Sequence, residues 1–157
     1  MKKGVLSILI ILAVIAAVPS NARGDAFNFY LRSGLVTDDS FSFSPLLWTI
    51  GANFDLNLGS MLFLSPDCDI IVYKFNFSPL WLTPAVTLNL NLSGLYAGAG
   101  VAKFVVLGSG YTLSSDFLVK FNAGFRAETF KLQVYTLSSF DHIFDDMIFG
   151  FTLGYGF

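Results

Sequence analysis

Residues 149–157 read Phe-Gly-Phe-Thr-Leu-Gly-Tyr-Gly-Phe, so that large apolar side chains alternate with small ones along the whole segment. Because successive side chains of a β-strand point to opposite faces, this pattern predicts a strand with one apolar face and one nearly bare face. The apolar face comprises Phe149, Phe151, Leu153, Tyr155 and Phe157. A membrane β-barrel uses such a strand, since its outer face meets lipid and its narrow interior must leave room for other side chains.

The N-terminal segment predicts export. Two lysines precede the apolar segment 5–18, which is broken only by Ser7, and the small residues of segment 19–22 follow. A positive start, an apolar stretch and a small-residue site are the three parts of a cleavable signal peptide. The sequence therefore predicts a signal peptide over residues 1–22 and one β-barrel domain over residues 23–157.

Two alternatives to cleavage after Ala22 remain open: a retained membrane anchor and a later cut, for example after Ala26. An anchor is disfavoured because fourteen residues of helix span about 21 Å, less than the roughly 30 Å of a hydrocarbon core. The single cysteine, Cys68, lies far from this segment and excludes both a lipoprotein anchor and an internal disulfide.

Composition favours a membrane barrel and argues against nucleic acid. Without residues 1–22, the chain has 135 residues, with seven Lys and Arg against eleven Asp and Glu, and an acidic balance does not suit nucleic-acid binding. Hydrophobic residues make up 54% of the whole chain, above the usual content of about 45–50%. No later segment is long and apolar enough for a spanning helix. A closed barrel is the other way to satisfy backbone groups in lipid.

Alternation between turn signals predicts an all-β fold, an eight-stranded antiparallel transmembrane β-barrel. A slip of phase near Ile70 and Ile71 indicates a bulge. Lys103, on the outward phase, indicates a membrane-edge position or a second bulge. Short turns are expected at residues 59–60, 93–94 and 127–129, a short connection at 78–79, and longer ones after the first, fifth and seventh strands. The predicted strands are 26–36, 45–58, 61–77 (interrupted at Ser65-Pro66), 80–92, 95–107, 117–126, 130–137 and 149–157.

Charged residues on inward phases predict a polar network inside the barrel. They are Arg32, Asp55, Asp67, Asp69, Lys74, Lys120, Arg126 and Lys131. An eight-stranded barrel is just wide enough for side chains to fill, so these charges must pair or stay hydrated. We expect a network that plugs the barrel, and a narrow polar pore is the alternative.

The segment around His142, the only histidine, is the one place with the composition of a catalytic triad. Ser138, Ser139, Asp145 and Asp146 lie nearby. All of them fall in one polar loop, where solvation alone accounts for such residues. The loop aspartates lack the spacing and turn glycine of a calcium site. We therefore predict no catalytic, cofactor-binding or metal-binding residues.

The mature chain resembles the small outer-membrane β-barrel superfamily, which includes the OmpA transmembrane domain, OmpX and OmpW-like proteins. The resemblance rests on the signal peptide, on Tyr96-Ala97-Gly98-Ala99-Gly100-Val101 and on the ending Gly154-Tyr155-Gly156-Phe157. It implies a monomer in the outer membrane of a Gram-negative-type bacterium, in contact with outer-membrane lipids. It also implies that the barrel assembly machinery recognises the C-terminal strand, with Phe157 at its last position.

Three functions fit this resemblance. A non-enzymatic barrel with a structural or surface-interaction role is expected. A small channel or carrier for small or apolar solutes is the first alternative. A barrel enzyme that modifies lipid A is the second.

Overall fold

The computed structural model of the chain describes residues 26–38, 40–41, 47–73, 76–143 and 147–157. The predicted signal peptide and Lys74 lie outside these residues. In the part of the chain that the structure describes, no helix is long and apolar enough to cross a membrane.

The described residues form an antiparallel barrel, in which each strand pairs with the next and the last pairs with the first. Closure leaves no free sheet edge. This arrangement confirms the predicted all-β, eight-stranded antiparallel barrel. The strands are β1 (Phe27–Thr37), β2 (Leu47–Asn57), β3 (Leu62–Tyr73), β4 (Asn76–Leu92), β5 (Leu95–Gly108), β6 (Tyr111–Arg126), β7 (Phe130–Ser139) and β8 (Ile148–Gly156).

The C-terminal segment closes the barrel. Tyr30 of β1 lies opposite Gly156 of β8, and Thr37 lies opposite Phe149. The backbone N–H of Phe157 donates to the carbonyl of Phe29 over 3.0 Å, so the ladder continues to the last residue. The segment with the most regular alternation therefore forms the seam between the two ends of the chain.

Three short connections define one end of the barrel, which we call the turn end: residues 58–61, 93–94 and 127–129. They agree with the predicted turns. Ser93 and Gly94 have φ angles of 52° and 93°, and two positive φ angles characterise the type I′ turn that suits a two-residue hairpin. The first and last described residues, Ala26 and Phe157, also lie at this end, and we call the opposite end the loop end.

The prediction for the third and fourth strands is partly wrong. β3 runs through Pro66 without interruption and ends at Tyr73, whereas β4 begins before the expected connection at 78–79. Pro66 has no N–H to offer the ladder, but its carbonyl accepts a bond of 3.3 Å from Nδ2 of Asn53 on β2. The register of β3 with β2 is the same on both sides of Pro66, so the missing N–H does not end the strand. The expected slip lies between Ile71 and Tyr73, where the register with β4 shifts.

The prediction of a long loop after the fifth strand is also wrong. A two-residue turn, Ser109-Gly110, joins β5 to β6, and Asp116 lies within β6. The register between the two strands shifts near Lys103, and the N–H of Phe104 donates to Oγ of Ser115 over 3.0 Å. This irregularity is the bulge expected near Lys103. It allows polar residues that predict a loop in the sequence to remain in the β-ladder.

The two faces of the wall differ sharply in character. On β4, Leu88 is 49% exposed on the outer face, whereas its neighbour Asn89 is 1% exposed inside. Aromatic rings gather on the outer face at the turn end: the ring centroids of Phe29 lie 4.8 Å from Phe54 and 6.2 Å from Phe157. An apolar outer band flanked by aromatic rings is typical of barrels that face lipid.

Candidate functional site

The centre of the barrel holds a cluster of paired charges, which we call the central cluster. Nη2 of Arg32 lies 2.7 Å from Oδ1 of Asp67 and 2.7 Å from Oδ2 of Asp69, and Nε donates to Oδ1 of Asp69 over 2.7 Å. Nζ of Lys120 donates to both oxygens of Asp67 over 2.8 Å. Nη1 of Arg32 donates to Oε1 of Gln133. The close pairing compensates for removing these charges from water.

A second cluster lies nearer the turn end, and we call it the mouth cluster. Nζ of Lys131 lies 2.7 Å from Oδ1 of Asp55. Nη1 of Arg126 lies 3.5 Å from Oδ2 of the same carboxylate. Nη2 of Arg126 donates to Oδ1 of Asn57 over 2.8 Å, and the guanidinium lies 4.3 Å from the ring centre of Phe63. Two cations therefore share one carboxylate here.

Neutral polar side chains extend the mouth cluster. Oγ of Ser65 donates to Asp55 over 2.6 Å and accepts from Nδ2 of Asn53 over 2.7 Å. Oδ1 of Asn53 accepts from Lys131 over 2.8 Å. The network predicted from charged residues alone does not include Asn53, Ser65 and Gln133. The sequence signal that identifies them is their position on the inward-facing phase of β2, β3 and β7.

Aromatic rings fill the space around the charges. Nζ of Lys131 lies 5.2 Å and 5.0 Å from the ring centres of Phe63 and Tyr96, within the range of cation–π attraction. The ring of Tyr135 lies against Gly150 of β8, where a Cβ atom would overlap it. The bare inner face of the last strand therefore leaves room for an aromatic side chain from the neighbouring strand β7.

An apolar layer adjoins the central cluster and extends from it toward the loop end. Val36 stands four residues beyond Arg32 on β1, and Leu137 four residues beyond Gln133 on β7, so both lie nearer the loop end than the cluster. An ion crossing the interior would meet this layer after the charges. The buried members are Val36, Ala85, Ala102, Tyr135 and Leu137, with Leu47, Phe104, Leu118 and Ile148 packed against them.

The structure brings most of the expected lumen residues together. Lys74 lies outside the described residues. Asp67 and Asp69, from the strand whose phase slips, complete the central cluster. The expected residues found inside the barrel are Arg32, Asp55, Lys120, Arg126 and Lys131.

The serines near His142 bond to its backbone. Oγ of Ser138 donates to the carbonyl of His142 over 2.6 Å, and Oγ of Ser139 accepts from its N–H over 3.1 Å. These contacts fix a turn after β7. Asp145 and Asp146 lie outside the described residues. Among the residues that are described, no group of three or more His, Cys, Asp and Glu side chains is placed to hold a metal ion.

Asp67→Asn should destabilise the barrel, because it leaves Lys120 buried without its carboxylate. Loss of one partner of a buried pair costs about 3–5 kcal/mol, to be measured by urea unfolding in lipid vesicles. Asp116→Asn, on the exposed part of β6, is the matched control and should change stability by less than about 0.5 kcal/mol. Adding Lys120→Met to Asp67→Asn should recover part of the loss. An equal loss of stability in Asp67→Asn and Asp116→Asn would contradict the role of the central cluster.

Comparison with known proteins identifies the fold. No family model and no curated protein matches the sequence. Among solved structures, the N-terminal β-barrel domain of Pseudomonas aeruginosa OprF is similar with a TM-score of 0.54 and 14% identity, over 85% of this chain and 99% of that chain.

Two further similar structures have lower TM-scores. A structure from de novo design of transmembrane β-barrels has a TM-score of 0.48 and 11% identity, over 86% of this chain and 99% of that chain. Ail of Yersinia pestis has a TM-score of 0.43 and 16% identity, over 84% of this chain and 97% of that chain. From the closed barrel and the similarity to the OprF domain, we conclude that the chain has the fold of a small, eight-stranded antiparallel β-barrel.

Proposed function

We propose that this protein is an integral outer-membrane β-barrel with a structural or surface-interaction role and without enzymatic activity. One observation carries the proposal: a closed wall presents apolar side chains outward around an interior that is filled by paired charges, aromatic rings and an apolar layer. The outer surface suits contact with lipid, and the interior is packed with side chains in place of an open passage.

The outer wall supports the membrane part of the proposal. Large apolar side chains on every strand point away from the barrel, and a surface of this kind in water would be a liability for aggregation. In lipid the same surface is favourable. β4 has 17 residues, more than the roughly 9–11 that a tilted strand needs to cross the hydrocarbon core. The fold shared with the OprF domain agrees with this location.

The filled interior supports a structural role over a channel. Arg32 and Lys120 are at most 3% exposed and bonded to carboxylates, so neither is available to line an open pore. The apolar layer on the loop-end side of the central cluster adds a barrier to ions. Breaking the charge pairs would cost several kcal/mol for each buried charge left unpaired.

The last strand supports the proposed route of assembly. Phe151, Leu153, Tyr155 and Phe157 are exposed on the outer face, and β8 pairs with β1 only when the barrel closes. Before closure, its edge and its apolar face are both available to another protein. We propose that the barrel assembly machinery reads Phe149, Phe151, Leu153, Tyr155 and Phe157, after export that depends on a signal peptide in residues 1–22. The assembled protein acts as a monomer among outer-membrane lipids.

Cell fractionation tests the location. We expect the protein in the outer-membrane fraction, with different gel migration before and after heating, because a closed barrel resists detergent until heat opens it. Recovery as a soluble periplasmic protein, with no change of migration on heating, would contradict the proposal.

Conductance separates the structural role from the channel. The purified monomer in planar bilayers should give little or no stable ion conductance, because the central cluster and the apolar layer fill the interior. Large, reproducible single-channel steps from the monomer would contradict the structural role and favour the channel. A sample denatured by heat and assayed at the same detergent concentration is the control for leaks.

A further inference from the structure

The turn end of the barrel contains a polar cavity of about 540 Å³. It lies between the three short turns and the mouth cluster. Its floor includes the guanidinium of Arg126, and its rim includes the exposed Glu128. The residues that line the cavity include Asn28, Asn57, Phe63, Asn91, Arg126 and Glu128.

The charges inside the described part of the barrel do not balance, and the excess lies at this cavity. In the central cluster, Arg32 and Lys120 face Asp67 and Asp69, so two cations meet two anions. In the mouth cluster, two cations meet the single carboxylate of Asp55. The described interior therefore holds one unit of positive charge more than its carboxylates neutralise.

The excess charge is located on Arg126. Lys131 lies 2.7 Å from Asp55, whereas Arg126 lies at 3.5 Å, so the lysine is the closer partner of the carboxylate. Nη1 of Arg126 and Oδ2 of Asp55, which lie 3.5 Å apart, are both buried and without a hydrogen-bond partner among the described residues. An unsatisfied donor on a buried charge costs more than one on a neutral group. An oxyanion in the cavity beside the guanidinium would supply the missing negative charge.

We propose that the turn-end cavity binds an oxyanion, a carboxylate or phosphate group of a small polar molecule, through Arg126. The planar guanidinium suits the two oxygens of such a group, and the ring of Phe63 lies beneath it at 4.3 Å. The amides of Asn28, Asn57 and Asn91 line the remaining wall and suit a hydrogen-bonding molecule. The site follows from the charge distribution and does not depend on the proposed surface role.

The test is a titration followed by NMR, with the barrel folded in an uncharged maltoside detergent. The probes are inorganic phosphate and acetate, each against chloride at the same ionic strength. The Nε–H signal of Arg126 should shift saturably with at least one oxyanion. The signal of Arg32, which two carboxylates already hold, is the internal control and should not shift. The tighter probe identifies the class of oxyanion. No saturable shift, or an equal shift at Arg32, would overturn the proposal.

Charge variants at the cavity locate the site. Glu128→Gln removes a negative charge from the rim and should tighten binding about threefold, whereas Asn28→Asp adds one and should weaken it about threefold, as expected for a unit charge some 7 Å away in water. Lys103→Gln removes a charge on the outer wall and should leave binding unchanged. Unchanged binding in Glu128→Gln would overturn the assignment. Because Glu128 is exposed, Glu128→Gln should leave the fold intact, and it tests the site even if Asn28→Asp does not fold.

Discussion

Asp67 lies between Arg32 and Lys120 at the centre of the barrel, and the rest of the interior depends on this shared carboxylate. It joins β3 to β1 and to β6, and neither of these strands is a neighbour of β3 in the sheet. Through Arg32 the connection reaches Gln133 on β7. Backbone hydrogen bonds link each strand only to its neighbours, so the network adds the contacts that run across the interior. Removing the charge of Asp67 would leave Lys120 buried without a carboxylate and Arg32 with Asp69 alone.

In the proposed membrane location, the division between inside and outside follows from the solvent that each face meets. A side chain such as Leu88 gains little from burial against protein when lipid is its neighbour, so the outer wall needs only to be apolar. The inner face has no lipid and little room for water. It therefore takes charges in pairs, as in the central cluster, and accommodates rings where the neighbouring strand is bare, as Tyr135 of β7 does against Gly150 of β8. The mouth cluster departs from this rule, since Lys131 and Arg126 share one carboxylate.

The sequence predicted the barrel because alternation repeats in every strand and the period of two is unambiguous, as in residues 149–157. It also predicted which charges face inward, since Arg32, Lys120 and Arg126 each follow the phase of their own strand. It failed where local turn signals compete with the ladder. Pro66 predicts an interruption of the strand, but its carbonyl accepts a hydrogen bond from the side chain of Asn53. Ser115 predicts a loop, but its hydroxyl accepts a hydrogen bond from the backbone N–H of Phe104. Pairs across the interior, such as Arg32 with Asp67, depend on the stagger of all strands, which local patterns do not contain.

The central claim is that the outer wall faces lipid and the charges face inward, and the single cysteine tests it directly. Cys68 is exposed on the outer face of β3, between the inward Asp67 and Asp69. A nitroxide attached to Cys68 in lipid vesicles should be relaxed strongly by oxygen, which concentrates in lipid, and weakly by a water-soluble nickel chelate. The control carries the nitroxide at the exposed turn, by Ser60→Cys in a Cys68→Ser background, and should respond strongly to nickel. A label at Cys68 that responds to nickel as strongly as the turn would contradict the account.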